Sequence, residues 1–266
     1  MIKESTYQTY LINLDRATER LKLMELEFNK CNLSYERIPA VDAKKLTDNL
    51  YTINNKYDRN FVPGEIGCYL SHVNTLEQFL KSPYQFAVIL EDDAILDSNF
   101  KPIIENVIQQ YNSHTTYQQW DVLKLSNGKR RHIKINNVDN KYIIGACGTS
   151  IPITTIAAIW TREAAEKFLD KTIINNKPVV RRPIDCELQH PWEYNLKIYN
   201  LLPSIVSSAE VETQIQVNDS LRKSNLFPQI RYELNRLFPK YWYLIKQHGF
   251  KKFYDSFIAK KNEKIA

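Results

Sequence analysis

The stretch from Phe86 to Asp93 reads FAVILEDD and joins a continuous apolar run to three consecutive acids. An uninterrupted apolar run of this kind is typical of a central strand that is buried on both faces. The acids follow at once, so they are predicted to stand at the carboxyl end of that strand. Carboxylates packed together repel one another, and burial raises their pKa values, so the cluster requires a countercharge such as a divalent cation.

The rest of the chain alternates between strand-like and helix-like segments. Predicted strands cover 7–14, 34–41, 86–90, 121–125 and 154–160, with a strand-like region up to 144 and a late strand within 196–206. Residues 43–62 are expected to be irregular. Predicted helices follow Asp15, follow Pro63-Gly64, cover 98–111 and run from Thr161 to Leu169, with Asp15 and Thr161 as N-caps. Strands that alternate with helices in this way predict an α/β sheet with crossover connections.

Three of the predicted strands end in polar segments, at residues 14–16, 41–42 and 91–93. Open α/β sheets bind their ligands outside the carboxyl ends of the strands, so this coincidence predicts a nucleotide-type crevice. The chain has no Gly-x-Gly-x-x-Gly motif and no Walker A loop, and it contains only six glycines. Dinucleotide-binding and P-loop folds are therefore disfavoured.

The acidic triplet is interpreted as a metal site for Mg²⁺ or Mn²⁺, because a few carboxylates completed by diphosphate oxygens are typical of these ions. In an extended segment Glu91 and Asp93 point the same way, while Asp92 points to the opposite side. We therefore assign the metal to Asp93 first and Glu91 second, and place Asp92 nearer the sugar or behind the ligands. The alternative is a solvated turn or an acid that caps a helix.

The net charge of +6 resides entirely in the C-terminal segment, residues 229–266, which has nine Lys and Arg against three acids. Aromatic residues are interleaved with these charges. Such a segment fits an anionic membrane surface, where basic side chains meet headgroups and Trp and Tyr sit at the interface. The alternative is a helical hairpin packed on the domain with solvated lysines. No nucleic-acid-binding motif accompanies the charge, so nucleic acid is not an expected partner.

The length of 266 residues suits one domain with an extension. No apolar run reaches the roughly 18–20 residues of a membrane-spanning helix, and no signal-peptide core follows the N-terminus. The four cysteines are scattered without a Cys-x-x-Cys pair, which indicates neither a disulfide framework nor a structural zinc site. A cytoplasmic, reduced protein is therefore expected.

Four segments together resemble glycosyltransferase family 25: YLINLDRATERL (residues 10–21), AVDA (40–43), PGEIGCYLSH (63–72) and VILEDDAIL (88–96). The resemblance is close over residues 1–100, looser over 101–210 and absent in the tail. It implies an α/β fold of the GT-A-like kind, a mixed central sheet flanked by helices. We expect this nucleotide-sugar-binding domain to cover residues 1–226 and the basic aromatic helical extension to cover 227–266.

The resemblance also implies the activity. The expected enzyme is a metal-dependent inverting glycosyltransferase with Mn²⁺ (or Mg²⁺) and a UDP-sugar donor. It would move a hexose, galactose favoured over glucose, to a lipooligosaccharide acceptor through a β-glycosidic bond. The acceptor is a glycolipid, so the protein is expected on the inner face of the bacterial inner membrane, held there by its C-terminal segment.

The resemblance assigns donor-binding roles by position. Asn13, Arg16 and Asp42 are expected to line the uridine pocket, with Asp42 accepting from ribose hydroxyls. His72 is expected to bind a phosphate or to hold the acidic motif in place, and Thr149 to line the donor sugar. The competing interpretations are a helix-surface role for Arg16 and a structural role for His72.

Inverting transfer also needs a base on the acceptor hydroxyl. Asp185 is the first candidate and Glu187 the second, since the region resembles a later Pro-x-Asp segment of the family. The alternative for Asp185 is a plain helix N-cap. His190 is a candidate third metal ligand, with a packing role as its alternative.

Two other functions compete with the transferase. Acid clusters at strand ends also suit a Mg²⁺-dependent phosphohydrolase, which would release phosphate from simple esters without sugar transfer. A non-catalytic homologue would bind a UDP-sugar without turning it over.

Overall fold

The structure, a computed structural model, describes residues 6–47, 49–113, 118–126, 132–147, 151–152, 154–209 and 226–258. The strands are β1 Tyr7–Asn13, β2 Glu36–Pro39, β3 Thr52–Ile53, β4 Phe86–Glu91, β5 Ala94–Leu96, β6 Val122–Lys124, β7 His132–Asn137, β8 Ile143–Cys147, β9 Ala157–Thr161, β10 Ile173–Ile174, β11 Lys177–Val180, β12 Ile198–Leu202 and β13 Val206–Ser208. The helices are α1 Thr18–Lys30, α2 Pro63–Lys81, α3 Phe100–Ser113, α4 Arg162–Thr172, α5 Ile184–Glu187, α6 Pro191–Tyr194, α7 Leu226–His248 and α8 Phe250–Ile258.

A mixed central sheet organises these elements. Within the described residues its strand order is β2-β1-β4-β9-β6-β12-β8-β7. Strands β1, β2 and β4 are parallel, β9 runs against β4 and β6, and β12 is parallel to β6. The carboxyl ends of β1, β2, β4, β6 and β12 therefore lie along one edge. The predicted α/β fold, with a mixed central sheet flanked by helices, is confirmed.

The strand β4 is buried on both faces, as its apolar run predicts. Val88 and Leu90 belong to the core that packs against α1 and α3. Ala87 and Ile89 belong to the core beneath α2 and α4. All four residues are at most 1% exposed. This double burial places the acids that follow β4 at the edge of two apolar layers, where water offers them little solvation.

The two predicted helix caps have different outcomes. The side chain of Thr161 accepts a hydrogen bond from the backbone N–H of Ala164, which confirms it as the cap of α4. Asp15 does not cap α1, because that helix begins after Ala17 without a side-chain cap. The carboxylate of Asp15 instead forms an ion pair, 2.7 Å long, with Arg37 on the neighbouring strand β2.

Short pairings outside the central sheet bring distant segments to its edge. The segment 43–62, expected to be irregular, contains a 3₁₀ turn at Ala43–Lys45 and the strand β3, which pairs with β11. Strand β13 pairs antiparallel with β5, directly after the acidic triplet. This pairing places Ser208 opposite Ala94, beside Asp93.

The described part of the C-terminal segment, up to Ile258, is helical, as predicted, and one face of α7 packs on the domain. Arg236 donates to Oε1 of Gln189 at 2.8 Å, and the Tyr243 hydroxyl donates to the Leu196 carbonyl. Leu244 is buried at this contact. The boundary between residues 226 and 227 stays a prediction. Among the described residues, no helix is both long and apolar enough to cross a bilayer.

Helix α2 approaches the segment after β2 very closely. The Ser71 hydroxyl donates to the Gly67 carbonyl at 2.7 Å and accepts from the backbone N–H of Val41 at 2.8 Å. A Cβ added at Gly67 would lie 2.7 Å from the carbonyl oxygen of Val41. A backbone oxygen cannot easily move away from such a contact, so only glycine fits at this position. The contact also fixes the position of the neighbouring Asp42.

We expect Gly67→Ala to lower the free energy of unfolding by about 1–3 kcal/mol, because the added methyl group overpacks the contact with Val41. The measurement is chemical denaturation of the variant and the parent protein. Asn74→Ala, at an exposed position of the same helix, is the matched control and should change stability little. Equal losses in the two variants would contradict the close-contact explanation.

Candidate functional site

Polar side chains from three strand ends meet at the carboxyl edge of the central sheet. β1 ends at Asn13, β4 at Glu91 and β6 at Lys124. These strands share one direction, so their ends stand side by side. This edge is where open α/β sheets bind ligands. The structure therefore brings these strand ends together beside the acidic triplet, and the nucleotide crevice there stays a prediction.

Asp92 is held on the α1 side of this edge. Its Oδ2 accepts from Asn13 Nδ2 at 2.8 Å, and its Oδ1 accepts from Arg20 at 2.8 Å. Asn13 is buried and also accepts from Arg37 Nε at 3.0 Å. Both carboxylate oxygens of Asp92 are therefore occupied by the chain itself. Its position fits the predicted place behind the ligands, and Arg20 is a partner that the sequence interpretation missed.

Arg16 and Asp42 form an ion pair at 3.2 Å beside this network. Asp42 also accepts from the backbone N–H of Lys44, which caps the 3₁₀ turn. The Arg16 side chain is about a third exposed. The structure thus brings these two predicted pocket residues together, and their role in the uridine pocket stays a prediction.

Glu91 points to the opposite side, towards α2. Its Oε1 lies 2.9 Å from His72 Nε2, and the His72 side chain is almost fully buried. Burial alone would raise the pKa of Glu91, but the hydrogen bond and charge of His72, helped by the charge of Lys124, hold the pKa below its usual value. This contact suits one of the two roles predicted for His72, that of holding the acidic motif in place, and the role stays a prediction.

Asp93 is the least satisfied of the three acids. The Ser208 hydroxyl donates to its Oδ2 at 3.2 Å, while its buried Oδ1 has no partner among the described residues. Burial, and then the neighbouring charge of Glu91, raise the pKa of Asp93. An unpartnered carboxylate oxygen beside a second carboxylate fits a hard divalent cation. Asp93 and Glu91 are therefore suitable metal ligands.

Another combination also suits a metal. Among the described residues, the side chains of Cys68, His72 and Glu91 form the only group of three or more His, Cys, Asp or Glu whose ligand atoms all lie within 4.8 Å of one another. Asp93 and His190 are outside this group. The three predicted ligands Glu91, Asp93 and His190 are thus not gathered into one compact set.

His190 is packed in the interior against the C-terminal segment. Its Nδ1 lies 2.9 Å from the Cys186 carbonyl, and its ring contacts Trp192 and Tyr232. Burial lowers its pKa to about 4, so the imidazole is neutral at pH 7. The surroundings are those of a packing histidine, the alternative that the sequence leaves open.

Asp185 lies in the short helix α5, one residue after its start. In the fully described run 182–190 it is the only residue that is not buried. Its Oδ1 accepts from the backbone N–H of Cys186, and burial raises its pKa. The charge of Asp185 acts on both Lys124 and Cys68. Asp185 is therefore close enough to Lys124 and Cys68, two neighbours of Glu91, to interact with them electrostatically.

Glu187, the second candidate base, occupies the interior. Its carboxylate accepts from Arg182 at 3.2 Å and from the Tyr194 hydroxyl, and the side chain has no exposed surface. Burial raises its pKa, although the Arg182 charge opposes this shift. A carboxylate closed off in this way stabilises the packing of α5 against α6 and cannot meet an acceptor hydroxyl.

Lys124 is a site residue that the sequence interpretation missed. It is 1% exposed, and its ammonium donates to the carbonyls of Pro152 and Thr154 at 2.6 and 2.7 Å. Burial lowers its pKa to about 8, against the opposing charges of Asp185 and Glu91. The sequence signal was a charged residue inside the apolar strand VLKL, which requires a nearby countercharge.

One predicted feature lies outside the described residues. Thr149, expected to line the donor sugar, falls within 148–150. Its role stays a prediction.

The chain is similar to proteins of one family. A family model described as glycosyltransferase family 25 (LPS biosynthesis protein) matches residues 6–179, more than half of the chain. A glycosyltransferase 25 family member from Aedes aegypti is 31% identical over 210 residues, which cover 73% of this chain and 33% of that protein. A Haemophilus influenzae protein with a provisional glycosyltransferase name is 25% identical over 260 residues, 89% of this chain and 87% of that protein.

The chain is much shorter than its insect relatives, and its likeness to solved structures is weak. It spans about a third of the length of those relatives. A solved Drosophila β-1,4-galactosyltransferase 7 mutant, in complex with manganese, UDP-galactose and xylobiose, aligns with a TM-score of 0.34 and 10% identity over 83% of this chain and 81% of that chain. A TM-score this low carries no argument.

We expect Lys124→Met to lower the free energy of unfolding by about 1–3 kcal/mol. Two buried carbonyls lose their hydrogen-bond donor, and this loss outweighs the gain from no longer burying a charge. Chemical denaturation at pH 7 measures the change. Lys134→Met replaces an exposed lysine of β7 and should leave stability nearly unchanged. A Lys124→Met protein as stable as the parent would contradict the role of the ammonium in holding the segment around residues 152–154.

Proposed function

The chain belongs to glycosyltransferase family 25, and on that premise we propose that it transfers a hexose from a UDP-sugar to lipooligosaccharide with inversion at the anomeric carbon. Galactose is favoured over glucose as the donor sugar. The observation that carries the proposal is Asp93, whose buried carboxylate oxygen has no partner among the described residues, beside Glu91 at the end of β4.

The proposed metal is Mn²⁺ or Mg²⁺. Asp93 and Glu91 would hold it, with diphosphate oxygens of the donor completing its coordination. When bound, the ion would neutralise charge that builds up on the departing UDP. The chain's own contribution is the orientation of these ligands: His72 fixes Glu91, and Ser208 fixes one oxygen of Asp93.

The proposed uridine pocket lies on the other side of the acidic triplet. The Asp42 carboxylate would accept from the ribose hydroxyls, and Arg16 would turn from Asp42 towards the nucleotide. Asn13 and Arg20 occupy both oxygens of Asp92. Asp92 would therefore act by keeping β1, α1 and the triplet in register, so that the donor meets a preformed wall.

Asp185 is the proposed base. Inverting transfer requires a carboxylate that takes the proton from the acceptor hydroxyl as that oxygen attacks the anomeric carbon. Asp185 is partly exposed among buried neighbours, and burial raises its pKa, which makes its carboxylate a better proton acceptor. Lys124 keeps a positive charge nearby and limits that rise.

The outer face of the C-terminal segment is proposed to lie on an anionic membrane. Leu234, Phe238 and Trp242 recur every four residues along α7 and are 63%, 77% and 61% exposed. Phe250 and Tyr254 continue the apolar surface on α8. Exposed basic residues accompany it, namely Arg231, Lys246, Lys251 and Lys252. A helix with this arrangement would bind the inner face of the bacterial inner membrane, where a glycolipid acceptor would be found.

We expect metal-dependent UDP binding that Asp93→Ala abolishes, because the substitution removes the free carboxylate oxygen. Calorimetry with UDP, UDP-galactose and UDP-glucose, with and without Mn²⁺, measures it, and the tighter sugar identifies the donor. The variant should stay folded, since burial disfavours the Asp93 charge.

Asp170→Ala, at an exposed position of α4, is the matched control and should bind UDP like the parent protein. If the parent protein binds no UDP under any metal condition, the transferase proposal fails and the phosphohydrolase becomes the better explanation.

We expect Phe238→Ser combined with Trp242→Ser to weaken binding to vesicles that contain anionic lipid by about tenfold or more, since two exposed aromatic side chains no longer enter the interface. Vesicle co-sedimentation with anionic and with neutral lipid measures the loss. Leu26→Ser removes an equally exposed apolar residue from α1 and should have no effect. Equal binding by all three proteins would reject the membrane surface.

A further inference from the structure

One face of helix α2 presents a thiol and an imidazole to the end of strand β4. Cys68 and His72 are four residues apart, so they lie on the same side of α2. Glu91, the last residue of β4, faces them, and the three ligand atoms lie within 4.8 Å of one another. We propose that Cys68, His72 and Glu91 form a binding site for a thiophilic divalent cation, Zn²⁺, distinct from the hard-metal site of the donor.

The geometry needs little adjustment to hold the ion. Metal–ligand bonds of about 2.0–2.3 Å put the ligand atoms of a tetrahedral zinc site roughly 3.3–3.8 Å apart. Nε2 of His72 and Oε1 of Glu91 are already 2.9 Å apart. Helix α2 and strand β4 belong to one packed core, so their separation is fixed by folding. Small side-chain rotations would move these two atoms slightly apart and bring the Cys68 sulfur, now within 4.8 Å of both, into range.

The ligand types select the ion. Thiolate and imidazole suit Zn²⁺, whereas Mg²⁺ and Mn²⁺ prefer oxygen ligands. Three protein ligands leave the fourth position to water, as in open zinc sites. About a quarter of the Glu91 side chain is exposed, which gives the ion a route from solvent. Cys68 distinguishes this site from the Asp93 site.

The surrounding charges attract a cation. Glu91, Asp185 and Asp93 all act electrostatically on Cys68, and Glu91 and Asp185 also act on the buried Lys124. Binding releases the thiol proton of Cys68 to solvent. The hydrogen bond between His72 and Glu91 is replaced by two metal bonds, with the imidazole proton on Nδ1, so that Nε2 can donate its lone pair to the ion.

Glu91 belongs to both sites, so the ion has a consequence for activity. Zn²⁺ at Cys68 takes the carboxylate that the proposed donor metal uses and should inhibit sugar transfer. This consequence rests on the proposed function, whereas binding of the ion does not.

The binding test uses Co²⁺ as a spectroscopic substitute for Zn²⁺ on the full chain. A cobalt–thiolate charge-transfer band should appear in the parent protein, disappear on addition of Zn²⁺, and be absent from Cys68→Ala. Cys147→Ser is the matched control, because Cys147 is a second cysteine beside a histidine, 3.3 Å from His132. It should keep the band. Calorimetry should show Zn²⁺ affinity about a hundredfold lower in Cys68→Ala than in the parent protein.

Absence of a thiolate band in the parent protein would overturn the site, as would a band that survives in Cys68→Ala and vanishes in Cys147→Ser. Thermal unfolding should show that Cys68→Ala is folded, so that loss of the band reports loss of the thiolate ligand and not loss of the fold. In the activity test, Zn²⁺ should inhibit the parent protein more strongly than Cys68→Ala. If no transfer is detected with any protein, the proposed function has failed, and the cobalt spectra still decide the metal site.

Discussion

Three adjacent carboxylates at the end of one buried strand must each be stabilised, and the surrounding fold reflects how this is done. Asp92 is bound by Asn13 and Arg20, and Glu91 is bound by His72. Among the residues that the structure describes, Asp93 accepts a side-chain hydrogen bond only from the Ser208 hydroxyl. The first helix, the second helix and the late strand β13 are thus each connected to the triplet. The carboxylate left without a full set of partners is the one best placed for a ligand from outside the chain.

The sequence predicted the features that depend on local periodicity. The apolar run before Glu91 specifies a central strand, because five consecutive buried positions have few other solutions. The helix after Pro63 and the Thr161 cap follow from spacing and from a side chain that reaches its own backbone. The directions of the triplet do not follow from the pleat of a strand, because β4 ends at Glu91 and the next two acids lie in a turn before β5. Most of the fold was therefore predictable, apart from short pairings such as β3 with β11.

The features that the sequence could not predict depend on contacts between distant segments. Asp15 is an acceptable cap by type, yet Arg37 on the next strand takes its carboxylate. Glu187 and Asp185 are two positions apart and chemically similar. Only the structure shows that Glu187 forms a buried ion pair with Arg182. The role of Lys124 was not predicted, because a single charge in an apolar strand does not identify the carbonyls to which its ammonium donates. At the site, the types of residue could be predicted from the sequence, but their hydrogen-bond and ion-pair partners could not.

The contact between Arg236 and Gln189 joins the C-terminal helix to the segment that begins with Asp185. Gln189 is four positions after Asp185, and the three residues between them are all buried. If the outer face of that helix rests on a bilayer, the carboxylate stands at a set height above the lipid. The protein would then select its acceptor by the length of the glycan. A glycan too short to rise to that height, or long enough to overshoot it, would be refused whatever its terminal sugar.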